Sequence, residues 1–154
     1  MSEREPVTMM EATTRLDYVF TAGVAQSKNL LGLQEGKFIG QRCPKCKKVY
    51  MPSRGSCPTD GVPTDEIVEL PNTGTVTTYC IVNVPFAGQS IEIPYICGQI
   101  LLDGANLSFM GLIQEIPIDD IRMGMRVRPE FAPEDDRVGH VKDISHFVAV
   151  GGAS

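Results

Sequence analysis

The sequence predicts a mainly β protein with an N-terminal helix, a zinc-ribbon module and a C-terminal five-stranded barrel of the OB type. Three observations carry that prediction. Residues 42–61, RCPKCKKVYMPSRGSCPTDG, contain the knuckle Cys43-Pro44-Lys45-Cys46 and, after ten intervening residues, a second beginning, Cys57-Pro58-Thr59. Beyond Gly74 the chain is a succession of short alternating apolar runs separated by turn residues. Ahead of the knuckle, apolar residues recur at helical spacing.

The bounds set by composition agree. A chain of 154 residues fits one modest domain, or a small module beside a compact barrel. No run approaches the roughly 18 apolar residues of a membrane span. The N-terminus, MSEREPVTMMEATTRLDY, has early acids and no basic start followed by an apolar core, so no secretory signal is expected. Five cysteines, three of them in one short region, suit a reduced protein with a metal site and not a disulfide framework. The expected location is cytoplasmic.

In chain order, residues 1–12 read as a disordered tail: they are polar, interrupted by Pro6 and without periodicity. Residues 13–35 form the helical segment. Leu16, Phe20 and Val24 lie four apart, and Leu30, Leu31 and Leu33 follow a polar break; Gly23 and Gly32 predict two short helices or one interrupted helix. This stripe has little domain of its own to cover, which points to a partner protein. Residues 36–68 are the ribbon, with short strands at 37–42 and 48–51 before Pro52. Two such hairpins bury too little apolar surface to stand alone, so a metal is the expected staple.

Residues 69–150 are the barrel. A strand over 75–84 places Val76, Cys80, Val82 and Val84 on one face. Strands over 94–102, 107–114, 124–131 and 140–150 follow, with a helical turn at 118–121. Five strands with that insertion between the third and fourth match a Greek-key OB barrel, with a simple meander as the alternative. Residues 151–154 are a short tail.

Zinc takes four tetrahedral ligands, and a Cys-Pro-x-Cys turn supplies two thiolates from one knuckle. The candidate set is Cys43, Cys46, Cys57 and Asp60, the carboxylate standing where a fourth cysteine belongs; Asp65 is a substitute fourth ligand. The competing reading is a degenerate ribbon that keeps its shape by packing. A closed set is structural, since a catalytic zinc keeps an open position and usually has histidine ligands. Cys80 and Cys97, inside apolar strands, read as small buried hydrophobes. His140 and His146 fall on one face of the last strand as ordinary surface or core residues. Asp119-Asp120 and Glu134-Asp135-Asp136 read as solvated turns. No nucleophile elbow, phosphate loop, dinucleotide fingerprint or paired-histidine zinc motif is present, so a self-contained enzyme is not expected.

Net charge is -5, but Lys37, Arg42, Lys45, Lys47, Lys48 and Arg54 form a basic stretch without an acid. From Pro71 onward acids outnumber bases. An acidic barrel repels a nucleic-acid backbone, whereas the basic stretch suits a compact anion such as a nucleotide phosphate; the plain alternative is a solvated knuckle surface.

The order of these features resembles a known family. The resemblance rests on Ala22-Gly23, the run Leu30-Leu31-Gly32-Leu33-Gln34-Glu35-Gly36-Lys37, Arg42-Cys43-Pro44-Lys45-Cys46, and Tyr50-Met51-Pro52-Ser53-Arg54. Gly74-Thr75-Val76-Thr77-Thr78-Tyr79, Pro94-Tyr95, Leu102-Asp103-Gly104-Ala105 and Gly124-Met125-Arg126-Val127 continue it. Over residues 15–150 the chain looks like the zinc-ribbon plus OB-fold proteins associated with acyl-CoA metabolism, the domain-of-unknown-function thirty-five group. The resemblance implies a rubredoxin-like ribbon and an OB barrel. It also implies a non-catalytic subunit of thiolase-superfamily enzymes, including lipid-transfer-protein-like thiolases and aldolases of steroid side-chain degradation. Such a heteromer seats or channels an acyl-CoA, and Arg42, Lys45, Lys47, Lys48 and Arg54 are then candidate contacts for the coenzyme A phosphates or the partner. Asp60 departs from the cysteine most members carry. Two other classes compete: a single-stranded nucleic-acid-binding OB protein, which calls for a positive groove with stacking aromatics, and a free-standing acyl-CoA binder or thioesterase.

Overall fold

The computed structural model describes residues 7–12 and 16–151. The helix α1 spans Gly23–Gln34. Its start is set by Gly23, whose φ of 72° lies in the left-handed region and stops helical geometry from extending backward. The expected helical segment from residue 13 is therefore shorter than its apolar spacing suggests. Residues 13–15 lie outside the described part, 16–22 have no regular element, and Leu16, Phe20 and Val24 are all exposed. The helix ends in a Schellman arrangement about Gly36, with Lys37 N–H donating to the Gly32 carbonyl at 2.8 Å and Gly36 N–H to Leu33 at 2.9 Å.

Contrary to the sequence expectation, α1 does have a surface to pack on. Leu33 is buried in the main core, and Gly32 lies so close to the ribbon that a Cβ there would stand 2.4 Å from Ile39 Cγ1. Only the absent side chain permits that approach.

The ribbon sheet has the order β2-β1-β3, with β1 at Phe38–Arg42, β2 at Val49–Tyr50 and β3 at Glu66–Leu70. The third strand was not anticipated, because its run of Glu, Ile, Val, Glu and Leu offers no turn signal and sits at the module junction. It pairs with β1 from Phe38↔Leu70 to Arg42↔Glu66, and the last pair adds an Arg42–Glu66 ion pair of 2.9 Å.

The barrel consists of β4 (Gly74–Val82), β5 (Tyr95–Leu102), β6 (Phe109–Ile113), β7 (Arg126–Phe131) and β8 (Ile144–Ala149), closed in the order β4-β5-β6-β8-β7. The β6–β8 neighbour pair is parallel, which excludes the simple meander. A 3₁₀ turn at Ile118–Asp120 lies between β6 and β7, as expected. Another at Val141–Asp143 takes the start of the expected last strand, so His140 precedes β8 and does not share a strand face with His146.

A β-bulge changes the reading of β4. Val76 pairs with Ile100 but Thr78 with Gln99, which leaves Thr77 as the extra residue. The inside–outside alternation flips there. Val76 is buried, Tyr79 and Ile81 then turn to the core, and Cys80 is exposed where a buried thiol was expected. Cys97, opposite it, is half-buried.

The barrel interior is filled by Val76, Ile96, Ile100, Leu102, Ile113, Val127 and Phe147. Gly111 faces this core, where an added Cβ would sit 2.9 Å from the Phe147 ring and 3.0 Å from Ile100. Gly111→Ala should therefore lower unfolding stability by about 1–3 kcal/mol through overpacking, read from urea denaturation midpoints; an unchanged midpoint would mean that the core yields freely at this point.

Candidate metal centre

Two turns of nearly the same construction face each other at the tip of the ribbon. In the first, Lys47 N–H donates to the Cys43 carbonyl at 3.1 Å and Cys43 N–H to Lys48 at 2.9 Å. In the second, Gly61 N–H donates to the Cys57 carbonyl at 2.9 Å and Cys57 N–H to Val62 at 2.8 Å. Each turn closes through a residue of positive φ, Lys47 at 63° and Gly61 at 67°. This repeated geometry puts Asp60 in the second turn where Cys46 stands in the first. The left-handed Lys47 was not foreseeable from its residue type.

The four side chains converge. One ligand atom from each of Cys43, Cys46, Cys57 and Asp60 lies within 4.8 Å of the others. Cys46 Sγ is 3.7 Å from Cys57 Sγ, and Asp60 Oδ2 is 3.5 Å from Cys43 Sγ and 3.4 Å from Cys57 Sγ. Sulfurs bound tetrahedrally at about 2.3 Å from a zinc ion stand roughly 3.8 Å apart, so the donor set fits zinc. Asp65, the substitute ligand, is exposed and outside the cluster.

Backbone donors prepare the site for negative charge. Lys45 and Cys46 N–H groups donate to Cys43 Sγ, and Asp60 N–H to Cys57 Sγ, all at 3.4 Å. Tyr50, which the sequence did not mark as part of the site, brings its hydroxyl to 3.4 Å from Cys57 Sγ. Without metal, burial pushes the Cys57 thiol up, but the Tyr50 hydroxyl and the N–H groups of Asp60 and Thr59 outweigh it and bring the pKa down to about 7. For Cys46 the Lys48 backbone favours the thiolate, yet burial and the neighbours Asp60, Cys43 and Cys57 push it up to about 11. The Cys46 thiol holds the Asp60 carboxyl below its ordinary range against the opposing effect of burial. Lys45 Nζ, 3.6 Å from Asp60 Oδ1, adds to that.

The candidate anion contacts divide into two groups. Arg42 is paired with Glu66 and Lys45 with Asp60. Lys47, Lys48 and Arg54 are exposed and make no ion pair among the described residues. Neither histidine reaches the metal cluster. His140 Nδ1 accepts from Lys142 N–H, and His146 lies on β8 beside Ser145 and Glu115.

Residues 32–66 match the rubredoxin-like zinc ribbon domain of ChsH2, and residues 67–132 match the C-terminal OB-fold domain of ChsH2. The two matches adjoin without a gap and together span about two-thirds of the sequence. The chain belongs to the ChsH2 (DUF35) family. A DUF35 domain-containing scaffold protein of Methanocaldococcus jannaschii is 36% identical over 95 residues, covering 60% of this chain and 66% of that protein. Among solved structures, the Ltp2-ChsH2(DUF35) aldolase superposes with a TM-score of 0.61 at 24% identity, over 75% of this chain and 90% of that one. A DUF35-family protein of unknown function from Sulfolobus solfataricus gives 0.60 at 21% identity, over 70% and 78%. At these identities the two structures speak for the fold. No helix among the described residues is long and apolar enough to cross a membrane.

The depressed Cys57 value has a sign that can be tested. A thiol more acidic in the folded than in the unfolded state stabilises the metal-free fold at high pH, and that contribution fades as pH falls through about 7. Tyr50→Phe removes a donor to the sulfur. Thiolate absorbance of the metal-free protein should then titrate at higher pH than in the parent; an unmoved titration would remove Tyr50 from this role.

Proposed function

We propose that this ChsH2-family chain is a non-catalytic subunit that docks on a thiolase-superfamily enzyme and assists its handling of an acyl-CoA. The observation that carries the docking is the uncovered apolar run ahead of α1. Leu16 is 78% exposed, Tyr18 73%, Val19 101% and Phe20 63%, although the helix that follows them packs on the body of the protein. Such a contiguous uncovered run marks an interaction surface. The resemblance to a DUF35 scaffold protein and to the Ltp2-ChsH2(DUF35) aldolase supports a thiolase-like enzyme as the partner.

In this reading the ribbon holds one zinc ion through Cys43, Cys46, Cys57 and Asp60. The ion is a structural staple, since all four positions are taken by protein and none is left for substrate. Lys47, Lys48 and Arg54 supply the uncommitted positive charge for coenzyme A phosphates at the shared surface. The acidic barrel disfavours a nucleic-acid backbone as the partner of this fold.

Co-expression with an adjacently encoded thiolase-superfamily protein should give an equal-stoichiometry complex in light scattering. Phe20→Asp should weaken it by about tenfold or more by removing an apolar anchor. Elution as two separate proteins, with the enzyme's turnover unaffected, would sink the proposal, and acyl-CoA hydrolysis by the isolated chain would favour the thioesterase reading in its place.

Elemental analysis of chelator-free protein should find about one zinc per chain. Asp60→Cys should hold the ion more tightly against a chelator and Asp60→Ala less tightly. A zinc content below about 0.2 per chain would leave the ribbon as a shape maintained by packing.

A further inference from the structure

Three of the five cysteines belong to the ligand cluster, which leaves Cys80 and Cys97 without a role. They come from different strands, yet in the β4–β5 ladder Cys80 stands directly opposite Cys97. Opposed residues of an antiparallel pair project from the same face of the sheet. The bulge at Thr77 decides which face: it turns Tyr79 and Ile81 to the core and Cys80 outward. Cys97 matches it, alternating along β5 with the buried Ile96 and Gly98. Both thiols therefore lie on the outside of the barrel, Cys80 exposed and Cys97 half-buried.

The spacing of such a pair suits a bond between the sulfurs. Opposed Cα atoms stand about 4.5 or 5.5 Å apart, within the roughly 4.4–6.8 Å that a disulfide spans. Their Cβ atoms, about 4.5–5.5 Å apart, slightly exceed the roughly 3.5–4.5 Å of a relaxed bridge. Closing the bond therefore draws the strands together at this point. β4 can yield there: among the described residues its pairing with β7 covers Gly74 and Thr75, so at Cys80 its ladder partner is on the β5 side. The cost of that adjustment makes the bond easily reduced, the property of a labile disulfide and not of a structural one.

The two thiols are unequal. Burial pushes the Cys97 thiol up, and negative charge on Cys80 adds to it. The exposed Cys80 is thus the sulfur that an oxidant meets first, with Cys97 beside it to displace the reagent.

We propose that Cys80 and Cys97 form a reversible thiol–disulfide pair on the outer face of β4 and β5, oxidised by a low-molecular-weight disulfide. The Cys80 thiolate attacks one sulfur of that reagent; a new sulfur–sulfur bond forms, the reagent's own bond breaks, and one thiolate leaves. Cys97 then attacks Cys80 Sγ and expels the second. Two protein thiols give up two electrons and two protons, and the reagent becomes two thiols. The bond clasps the base of the β4–β5 loop, whose Val84 and Phe86 are 75% and 60% exposed. The pair is separate from the metal cluster and does not depend on the proposed thiolase partner.

The test is incubation of the folded full chain with glutathione disulfide, with zinc supplied to occupy the ribbon thiols, followed by an acid quench and digestion with a protease that cuts after glutamate. Cleavage after Glu69, Glu92 and Glu115 puts Cys80 and Cys97 on separate peptides, 70–92 and 93–115. Mass spectrometry should find those two peptides joined, and dithiothreitol should separate them. Cys97→Ser should instead leave a glutathione adduct on Cys80, and Cys80→Ser should lose the joined species. A glutathione adduct that persists on Cys80 of the parent overturns the proposal, as does a bridge from either cysteine to the ribbon or no reaction at all. If a serine variant does not fold, the peptide map of the parent decides the matter by itself.

Discussion

The burial of Phe38 against the barrel aromatics is the contact on which the arrangement of the whole chain depends. Phe38 belongs to the ribbon strand β1, has no exposed surface, and stands with its ring centroid 5.8 Å from Phe109, 5.6 Å from Phe131 and 6.5 Å from Phe147. Those three rings come from β6, β7 and β8, so one ribbon side chain touches three strands of the barrel. Leu33 of α1 and Leu70 of β3 extend the same core. The ribbon is thus not a separate bead on a linker. Asn106 reinforces the joint: its side-chain oxygen accepts from Val49 N–H and its own N–H donates to the Val49 carbonyl, both at 2.8 Å.

That union explains how a very small metal module keeps its geometry. The sheet behind the knuckles is anchored at its base by the aromatic cluster, and the knuckles themselves have a minor core of Cys43, Tyr50 and Cys57 with Val62 and Leu107 packed around it. Leu107 comes from the barrel side. The ligand cluster and the core therefore occupy opposite ends of the same sheet: one lies at the turns, the other fixes the strands that carry them. Because the donor groups are preset by backbone N–H bonds, an ion entering the cluster meets ligands whose orientation is already settled.

The proposed division of labour follows from where surface is left unfinished. The barrel interior is lined by buried apolar side chains from all five strands. The remaining opportunities lie outside: the apolar run ahead of α1, the uncommitted cations of the ribbon, and the cysteine pair on the outer face of β4 and β5. Each arises where one element stops short of covering another.

Much of this was legible in the residues. The knuckle pair and Asp60 were identified from spacing alone, because a Cys-Pro-x-Cys turn fixes its geometry within a few bonds, and the structure brings those four side chains together. The barrel strands were legible for a similar reason, since alternation and turn residues are local signals, although the bulge at Thr77 reversed the inferred facing of Cys80. What the sequence could not determine is what depends on contact between distant segments. Gly23 ended the apparent helical stripe by a backbone angle that residue spacing does not report. β3 became a strand because β1 offered it a complete edge. Cys80 and Cys97 come from different strands and stand opposite each other only because the bulge at Thr77 sets the register of β4 against β5. Local chemistry determined the candidate ligands and most of the strands, whereas only tertiary packing decided which faces were covered, because covering a face requires a partner that no local pattern names.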